Sequence, residues 1–205
     1  MLKLLSRFPI TRRLYSRKLE LRRLTRKDAD NYLALIRENT DHLRPWLPAF
    51  PEKPSLNAAR YWIEEEHRAI RNNERLDLGI FFLNTQKLIG RIALHSIIMG
   101  IQRSAGVSYW LDKNFSNQGL MTQALATLIS FSFEEGSFHR IWLSISVNNE
   151  PSIALSKKLG FREEGRRKKE LFIDGNWQDT IEMAILEEEY EKIADSWIKK
   201  GYLGA

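Results

Sequence analysis

Hydrophobic residues along this chain change their spacing several times, and each change marks an element. Leu19, Leu21 and Leu24 alternate with polar neighbours as a strand that ends at Thr25. Thr25 with Asp28 resembles a capping box, Asp standing where Glu is usual. Tyr32, Leu33, Leu35 and Ile36 then form a helical face. The stretch Arg44–Pro54 holds four prolines, so it is a loop, and it carries Trp46 and Phe50. Ser55 caps a second helix, with Ala59, Trp62, Ile63 and Ile70 at helical spacing. After Asn72-Asn73 the period falls to two. Leu78–Leu83 and Leu88–Ile98 read as strands around a turn at Asn84–Lys87, and Gly100 leads into a third strand, Gly106–Leu111.

Leu120–Glu135 is an apolar helix ended by Gly136, and His139–Val147 alternates as a strand. Pro151 suits the first turn of a helix that runs to Leu159 and stops at Gly160. Phe161–Lys169 and Trp177–Leu186 form a hairpin turning at Asp174-Gly175, and Glu187–Lys200 is a charged terminal helix. The reading contains seven strands, and one sheet with helices packed on its faces is the economical α/β arrangement. There is no internal repeat and no low-complexity segment.

A chain of 205 residues with 43% hydrophobic content suits one domain with a sizeable core. It has no cysteine, which removes thiolate metal sites and cysteine nucleophiles and is compatible with a reducing, cytoplasmic setting. His42, His67, His95 and His139 are scattered without helical metal spacing, so no metal is expected. No apolar run approaches the length of a membrane span, and MLKLL is too soon interrupted to be a signal-peptide core. The net charge of +6 favours an acidic partner. Much of it crowds residues 1–18, a basic arm open to two readings: a solvated tail, or a surface for nucleic acid or anionic lipid.

The most informative stretch is the strand–turn–helix from Tyr109 to Leu125. A strand that breaks on Gly119 and enters a helix leaves the first helical N–H groups unpaired, facing outward at the positive end of the helix dipole. Phosphate is the usual guest at such a place. Neither a Lys-Ser/Thr pair after the glycine nor a G-x-G-x-x-G run is present, which points away from a plain ATP or dinucleotide site. An ordinary tight connection is the competing reading.

The element order resembles the GCN5-related N-acetyltransferase (GNAT) superfamily, as do YWLD, SNQGLMT, NNEPSIALSKKLGF and IDGNWQD at their spacings. Within it the chain is similar to the ribosomal-protein N-terminal acetyltransferases (RimJ/RimL-like). The resemblance covers Leu19 to about Tyr190. It divides the chain into the arm (1–18), an N-acetyltransferase domain (19–190) and a C-terminal helix and tail (191–205). It implies a mixed, mostly antiparallel seven-stranded sheet with one splayed parallel pair and helices on both faces, and acetyl-CoA as co-substrate.

On that resemblance the pyrophosphate seat is Ser116, Asn117, Gln118, Gly119, Leu120, Met121 and Thr122. Only Gly119 matches the family's anchor positions; Ser116 stands in place of Gln or Arg, and Met121 in place of a small residue. The pantetheine arm would pair with Tyr109, Trp110 and Leu111 in a gap between Gly106–Leu111 and His139–Val147. Asn148 would reach its amide, a helix cap being the other reading. Many relatives carry an acidic tyrosine where this chain has Ser156. The resemblance therefore implies Ser152 as the group that helps sulfur leave, against a plain helix-end serine. Glu170 is the candidate base, against a surface carboxylate balancing Arg166, Arg167, Lys168 and Lys169. Tyr109 and His139 are further candidates. Trp46, Phe50 and Tyr109 would wall the acceptor pocket, core packing being the alternative for Trp46.

The expected activity is transfer of acetyl from acetyl-CoA to a primary amine by direct attack, the acceptor being a protein N-terminus. A small amine such as an antibiotic or polyamine is the first alternative. A module that binds coenzyme A or nucleic acid without turnover is the second. By family analogy a homodimer through the sheet edge or terminal helices is expected.

Overall fold

In a computed structural model of the chain, residues 13–47 and 54–204 are described. They form one eight-stranded sheet in the order β1-β2-β3-β4-β5-β6-β8-β7. The strands are β1 (Leu14–Tyr15), β2 (Leu19–Arg22), β3 (Leu76–Phe82), β4 (Lys87–Ile98), β5 (Ser104–Leu111), β6 (Arg140–Ser146), β7 (Arg162–Ile173) and β8 (Asn176–Leu186). The helices are α1 (Ala29–Leu43), α2 (Leu56–Arg71), α3 (Leu120–Glu134), α4 (Glu150–Lys158) and α5 (Glu187–Lys199).

The sheet has one strand more than the seven expected. The addition, β1, lies in the stretch read as a basic arm and pairs Leu14 with Leu21 and Tyr15 with Glu20. Two residues are too few to show a period, so sequence alternation does not reveal such a strand. Leu14 is nonetheless buried, and Arg13 donates to the buried Glu20 carboxylate at 2.8 Å. No helix among the described residues is long and apolar enough to cross a membrane.

Alternation along the central strands gives the sheet two different faces. Leu78, Ile80, Ile92, Leu94, Val107, Ile141, Leu143 and Ile145 join α3 and the aromatic residues Tyr190 and Trp197 of α5 in the larger core. The opposite face carries Phe81, Leu88 and Trp110 against Tyr32, Leu33 and Ile36 of α1 and Ala59 and Ile63 of α2. Helix α3 is apolar almost all round, with Leu120, Ala124, Leu125, Leu128 and Ile129 buried, and it crosses the middle of the first face.

Every neighbouring pair of strands is antiparallel except β5 and β6. Those two run parallel and pair only at Ser104–Arg140, Ala105–Ile141 and Gly106–Trp142. Beyond Gly106 they part, while each keeps its antiparallel partner on the other side as far as Leu111 and Ser146. The facing edges of Val107–Leu111 and Leu143–Ser146 are therefore left without a strand partner, and unpaired backbone groups of this kind call for one.

Candidate active site

At the end of β5 the chain turns under Asp112, which is fully buried. Its Oδ1 accepts from the backbone N–H of Asn114 at 3.0 Å and from the Asn114 side chain at 3.1 Å, while Oδ2 lies 3.9 Å from Lys87 Nζ. Helix α1 supports the same turn, because Asn39 Oδ1 accepts from Lys113 N at 2.9 Å. The backbone then passes through left-handed conformations at Asn117 (φ 59°) and Gly119 (φ 71°) and enters α3. Glycine takes the second of these at no steric cost. No protein atom lies within 4 Å of where its Cβ would be, so the space above Gly119 is open.

This turn forms one end of a cleft of about 770 Å³ that runs beside the open edge of β5 to α4. Tyr109, Trp110, Leu111, Ser116, Asn117, Gly119, Leu120, Met121, Thr122 and Ser152 all line it. Gln118 is not among the lining residues; its side-chain amide folds back to donate to Asn114 O at 3.0 Å. Of the two asparagines after β6, Asn149 rather than Asn148 lines the cleft, and its Oδ1 caps α4 by accepting from Ser152 N at 3.2 Å. Trp46 lines this cleft too, beside the phosphate-type turn, whereas Phe50 falls outside the described residues.

Sequence reasoning missed Lys158. It lines the cleft from the last turn of α4, with its ammonium over the Tyr202 ring at 5.0 Å from the centroid. The signal was present, since Pro151, Leu155 and Lys158 recur at intervals of four and three on one face of that helix. His42 and Leu43 from α1 were missed as well.

Within the cleft, the Tyr109 hydroxyl and Ser152 Oγ are 2.8 Å apart, so β5 and α4 bring a pair of exchangeable protons together. Ser156 lies below them, wholly buried, its hydroxyl donating to Ser152 O at 2.9 Å. Burial pushes the Tyr109 phenol above its usual range, against smaller opposing effects from Ser152 and Ser156. A phenol held in this way is a donor at neutral pH.

The other face of the sheet carries a second cavity, about 760 Å³, between α1, α2 and the strands. Tyr32, Trp62 and Trp110 form aromatic walls, and Glu65, Glu66, Glu74 and Asp77 bring carboxylates. Trp110 and Leu47 line both cavities and mark where they adjoin. Below lies a buried ion network in which Arg91 donates to Tyr32 at 2.9 Å and to Asp77 at 3.2 Å, and pairs with Glu66. Arg75 clasps Asp77 with two bonds of 3.0 Å. Burial raises the Glu66 pKa against the pull of Arg91.

Glu170 belongs to this second face and does not line the cleft. Its carboxylate accepts from Ser144 at 2.6 Å and from Thr180 and Arg167. Burial would raise its pKa, but those donors outweigh burial and hold it below the usual carboxylate range. It is a fixed negative charge, poorly suited to taking up a proton. His139 stands at the start of β6 beside Glu187 and Glu188, outside both cavities. Among the described residues, no His, Asp and Glu group is placed to hold a metal ion.

An extended ligand ending in phosphates fits what the cleft offers. Unpaired strand edges suit an amide-bearing chain, and a helix N-terminus entered through left-handed turns suits a pyrophosphate. Comparison with known proteins agrees. The family model described as an acetyltransferase (GNAT) domain matches residues 18–162. The putative ribosomal N-acetyltransferase YdaF of Bacillus subtilis is 32% identical over 174 residues, 83% of this chain and 92% of that protein. The ribosomal protein uS5-alanine N-acetyltransferase of Escherichia coli is 29% identical over 177 residues, 84% of this chain and 90% of that protein. The Mycobacterium smegmatis RimJ structure in complex with CoA-disulfide superposes with a TM-score of 0.85 at 26% identity, covering 91% of this chain and 90% of that one.

Proposed function

We propose that this chain, which belongs to the GNAT family and is an acetyl-CoA-dependent N-acetyltransferase, acetylates the N-terminal amine of a protein. Acetyl-CoA supplies the activated acetyl group as a thioester. The observation that carries the assignment is the parting of β5 and β6 above Gly106, with the Asn117–Gly119 turn at one end and the Tyr109–Ser152 pair beside it. In this reading the backbone of Tyr109–Leu111 and the cap residue Asn149 hold the pantetheine amides. The N–H groups from Ser116 to Thr122 hold the phosphates.

The acceptor approaches from the other face, through the cavity between α1 and α2. Tyr32 and Trp62 around that cavity suit the ammonium of an arriving amine, while its carboxylates Glu65, Glu66 and Asp77 are already paired with Arg68, Arg91 and Arg75. One feature of charge supports a protein acceptor. The chain as a whole carries +6, which suits an acidic body behind that terminus. The relatives named as ribosomal N-acetyltransferases point the same way. Glu170, held ionised beside β6, adds a fixed negative charge on the acceptor side.

The Tyr109–Ser152 pair protonates the departing thiolate. Tyr109→Phe and Ser152→Ala should each lower kcat about tenfold, because the surviving hydroxyl still donates, while the Kd for coenzyme A stays within about twofold. Stopped thiol-release assays and calorimetric titration check the two quantities. An unchanged kcat in both variants would remove the pair from the mechanism. The acceptor is tested by thiol release and mass spectrometry with peptides beginning in Ala or Ser, set against spermidine and an aminoglycoside. Turnover confined to the small amines would overturn the protein-terminus reading, and coenzyme A binding without any turnover would leave only a binding module.

A further inference from the structure

The thioester lies between two faces of the sheet, and the groups named so far for proton traffic, Tyr109 and Ser152, are both on the α4 face. An arriving ammonium needs its proton removed on the other face. Strand register identifies what stands there. His95 is paired with Gly106 across β4 and β5, and Gly106 is paired with Trp142 across β5 and β6. All three share the face of Arg91 and Trp110, and Gly106 is the last residue before the strands part.

The ring of His95 lies directly on Gly106. A Cβ at that glycine would sit 2.5 Å from His95 Cε1 and 2.8 Å from Trp142 Cζ2, so only glycine leaves room for the imidazole at the mouth of the gap. Trp142 fixes the ring edge-on, with centroids 5.5 Å apart at 87°. The backbone holds the position as well, because β4 breaks register after His95 and Ser96 takes a left-handed φ of 49°. Nδ1 is 3.2 Å from Ser96 Oγ, and the half-buried ring, which does not itself line the second cavity, lies near enough to feel Arg75 and Asp77, which do.

We propose that His95 is the catalytic base of the acetyl transfer, removing the proton from the acceptor ammonium at the mouth of the β5–β6 gap. The imidazole nitrogen takes one proton from the ammonium and passes it to water. The freed lone pair on nitrogen forms the C–N bond to the acetyl carbon. The C–S bond breaks with its electron pair on sulfur, and sulfur takes a proton from the Tyr109–Ser152 pair. The remaining extra proton on nitrogen restores that pair, so the products are an amide, a thiol and one proton in solvent. The proposal rests on the acetyl transfer assigned above and holds for a peptide or a polyamine acceptor.

The surroundings suit a base. Burial pulls the His95 pKa below the ordinary imidazole value, leaving the ring neutral at pH 7. From the start of β3 the charges that reach it are Arg75, just before the strand, which lowers the pKa, and Asp77, which raises it. From β5 the backbone of Val107 hydrogen-bonds the ring and also raises the pKa, while Gly106 and Trp142 carry no titrating group. Glu170 on the same face is already occupied by Ser144, Thr180 and Arg167.

The test is the pH dependence of kcat/KM for an Ala-initiated peptide, wild type against His95→Gln, with acetyl-CoA saturating. A peptide α-amine has a pKa near 7.7–8.0, so at pH 7 about one part in six to one in eleven is already neutral. His95→Gln should therefore fall about fivefold to tenfold at pH 7, and the deficit should narrow toward unity by about pH 9. The Kd for coenzyme A and the thermal midpoint, measured on the same preparation, report whether the fold and cleft are kept. A deficit that stays constant from pH 6.5 to 9, or no deficit at all, would overturn the proposal. If wild type acetylates only spermidine, the protein-terminus reading fails, and His95 is then judged on spermidine by the same ratio carried to higher pH: an alkyl amine titrates at about 10.4, so the deficit should persist to pH 9 and narrow only above about pH 10.

Discussion

Gly119→Pro is expected to weaken coenzyme A binding at least a hundredfold while leaving the fold intact. Proline fixes φ near −65°, and the turn needs +71° at this position. The substitution also deletes one of the N–H groups at the head of α3 and forces Gln118 out of compact backbone conformations. Losing one hydrogen bond to a charged group costs about 1.5–3 kcal/mol, and backbone strain adds about 1–3 kcal/mol. Together these come to about 2.5–6 kcal/mol, against the roughly 2.7 kcal/mol that a hundredfold loss of affinity represents. The fold survives because the space above Gly119 is open and the first bond of α3, from Gln123 N to Gly119 O, uses the carbonyl that proline keeps. Gly119→Ala separates the two causes. It keeps the N–H and pays only the left-handed strain of about 1–2 kcal/mol, so it should weaken binding about tenfold. Calorimetric titration with coenzyme A checks both variants, and equal affinities for all three proteins would show that the phosphates sit elsewhere.

Arg91→Met should lower stability by about 3–5 kcal/mol, the usual result of removing one partner from a buried ion pair. Arg91 is buried, and its pKa stands above the ordinary guanidinium value: burial opposes the charge, but Tyr32, Glu66 and Asp77 outweigh burial. Asp77 keeps Arg75 in the variant, whereas Glu66 loses the group that balances it. Glu66 already has a raised pKa in the folded protein, and losing Arg91 raises it further. A folded-state carboxylate with a raised pKa binds protons more readily than the unfolded chain, so the variant's deficit grows with rising pH and shrinks as pH falls. Urea unfolding at pH 8 and pH 5.5 should show the larger deficit at pH 8. Adding Glu66→Gln to Arg91→Met should recover part of the loss at pH 8. A deficit below about 1 kcal/mol at both pH values would mean that the network contributes nothing to folding.

Parts of the site whose chemistry is written into the backbone were legible in the sequence. A glycine between a strand and an apolar helix specifies an open helix head whatever the neighbouring side chains are, and the family resemblance is what names the head at Ser116–Thr122 as a pyrophosphate seat. Pro151 and Gly160 mark the bounds of the helix that carries Ser152, whose role came from the family resemblance alone. What escaped depends on register between strands far apart in sequence. His95 acquires meaning only when β4, β5 and β6 are laid side by side and Gly106 is seen beneath it. The Glu66–Arg91–Asp77 network joins α2, β4 and β3, with nothing local to mark its members as partners. Asn149 was passed over for its neighbour because two adjacent asparagines are indistinguishable until the first turn of α4 shows which one caps it. The strand β1 escaped for a different reason: two residues are too short for any period to appear.

The amide of Asn39 gives these two cavities a shared mechanical element. It is wholly buried in α1, donating to Leu35 O at 3.0 Å and accepting from Lys113 N at 2.9 Å in the phosphate-type turn. The helix that lends Tyr32 and Ile36 to the proposed acceptor cavity is thus hydrogen-bonded to the proposed pyrophosphate loop. Equilibrium linkage is symmetric: whatever factor acetyl-CoA contributes to acceptor affinity, the acceptor returns to acetyl-CoA. One buried side-chain amide is a direct bond between the elements proposed to hold the two substrates.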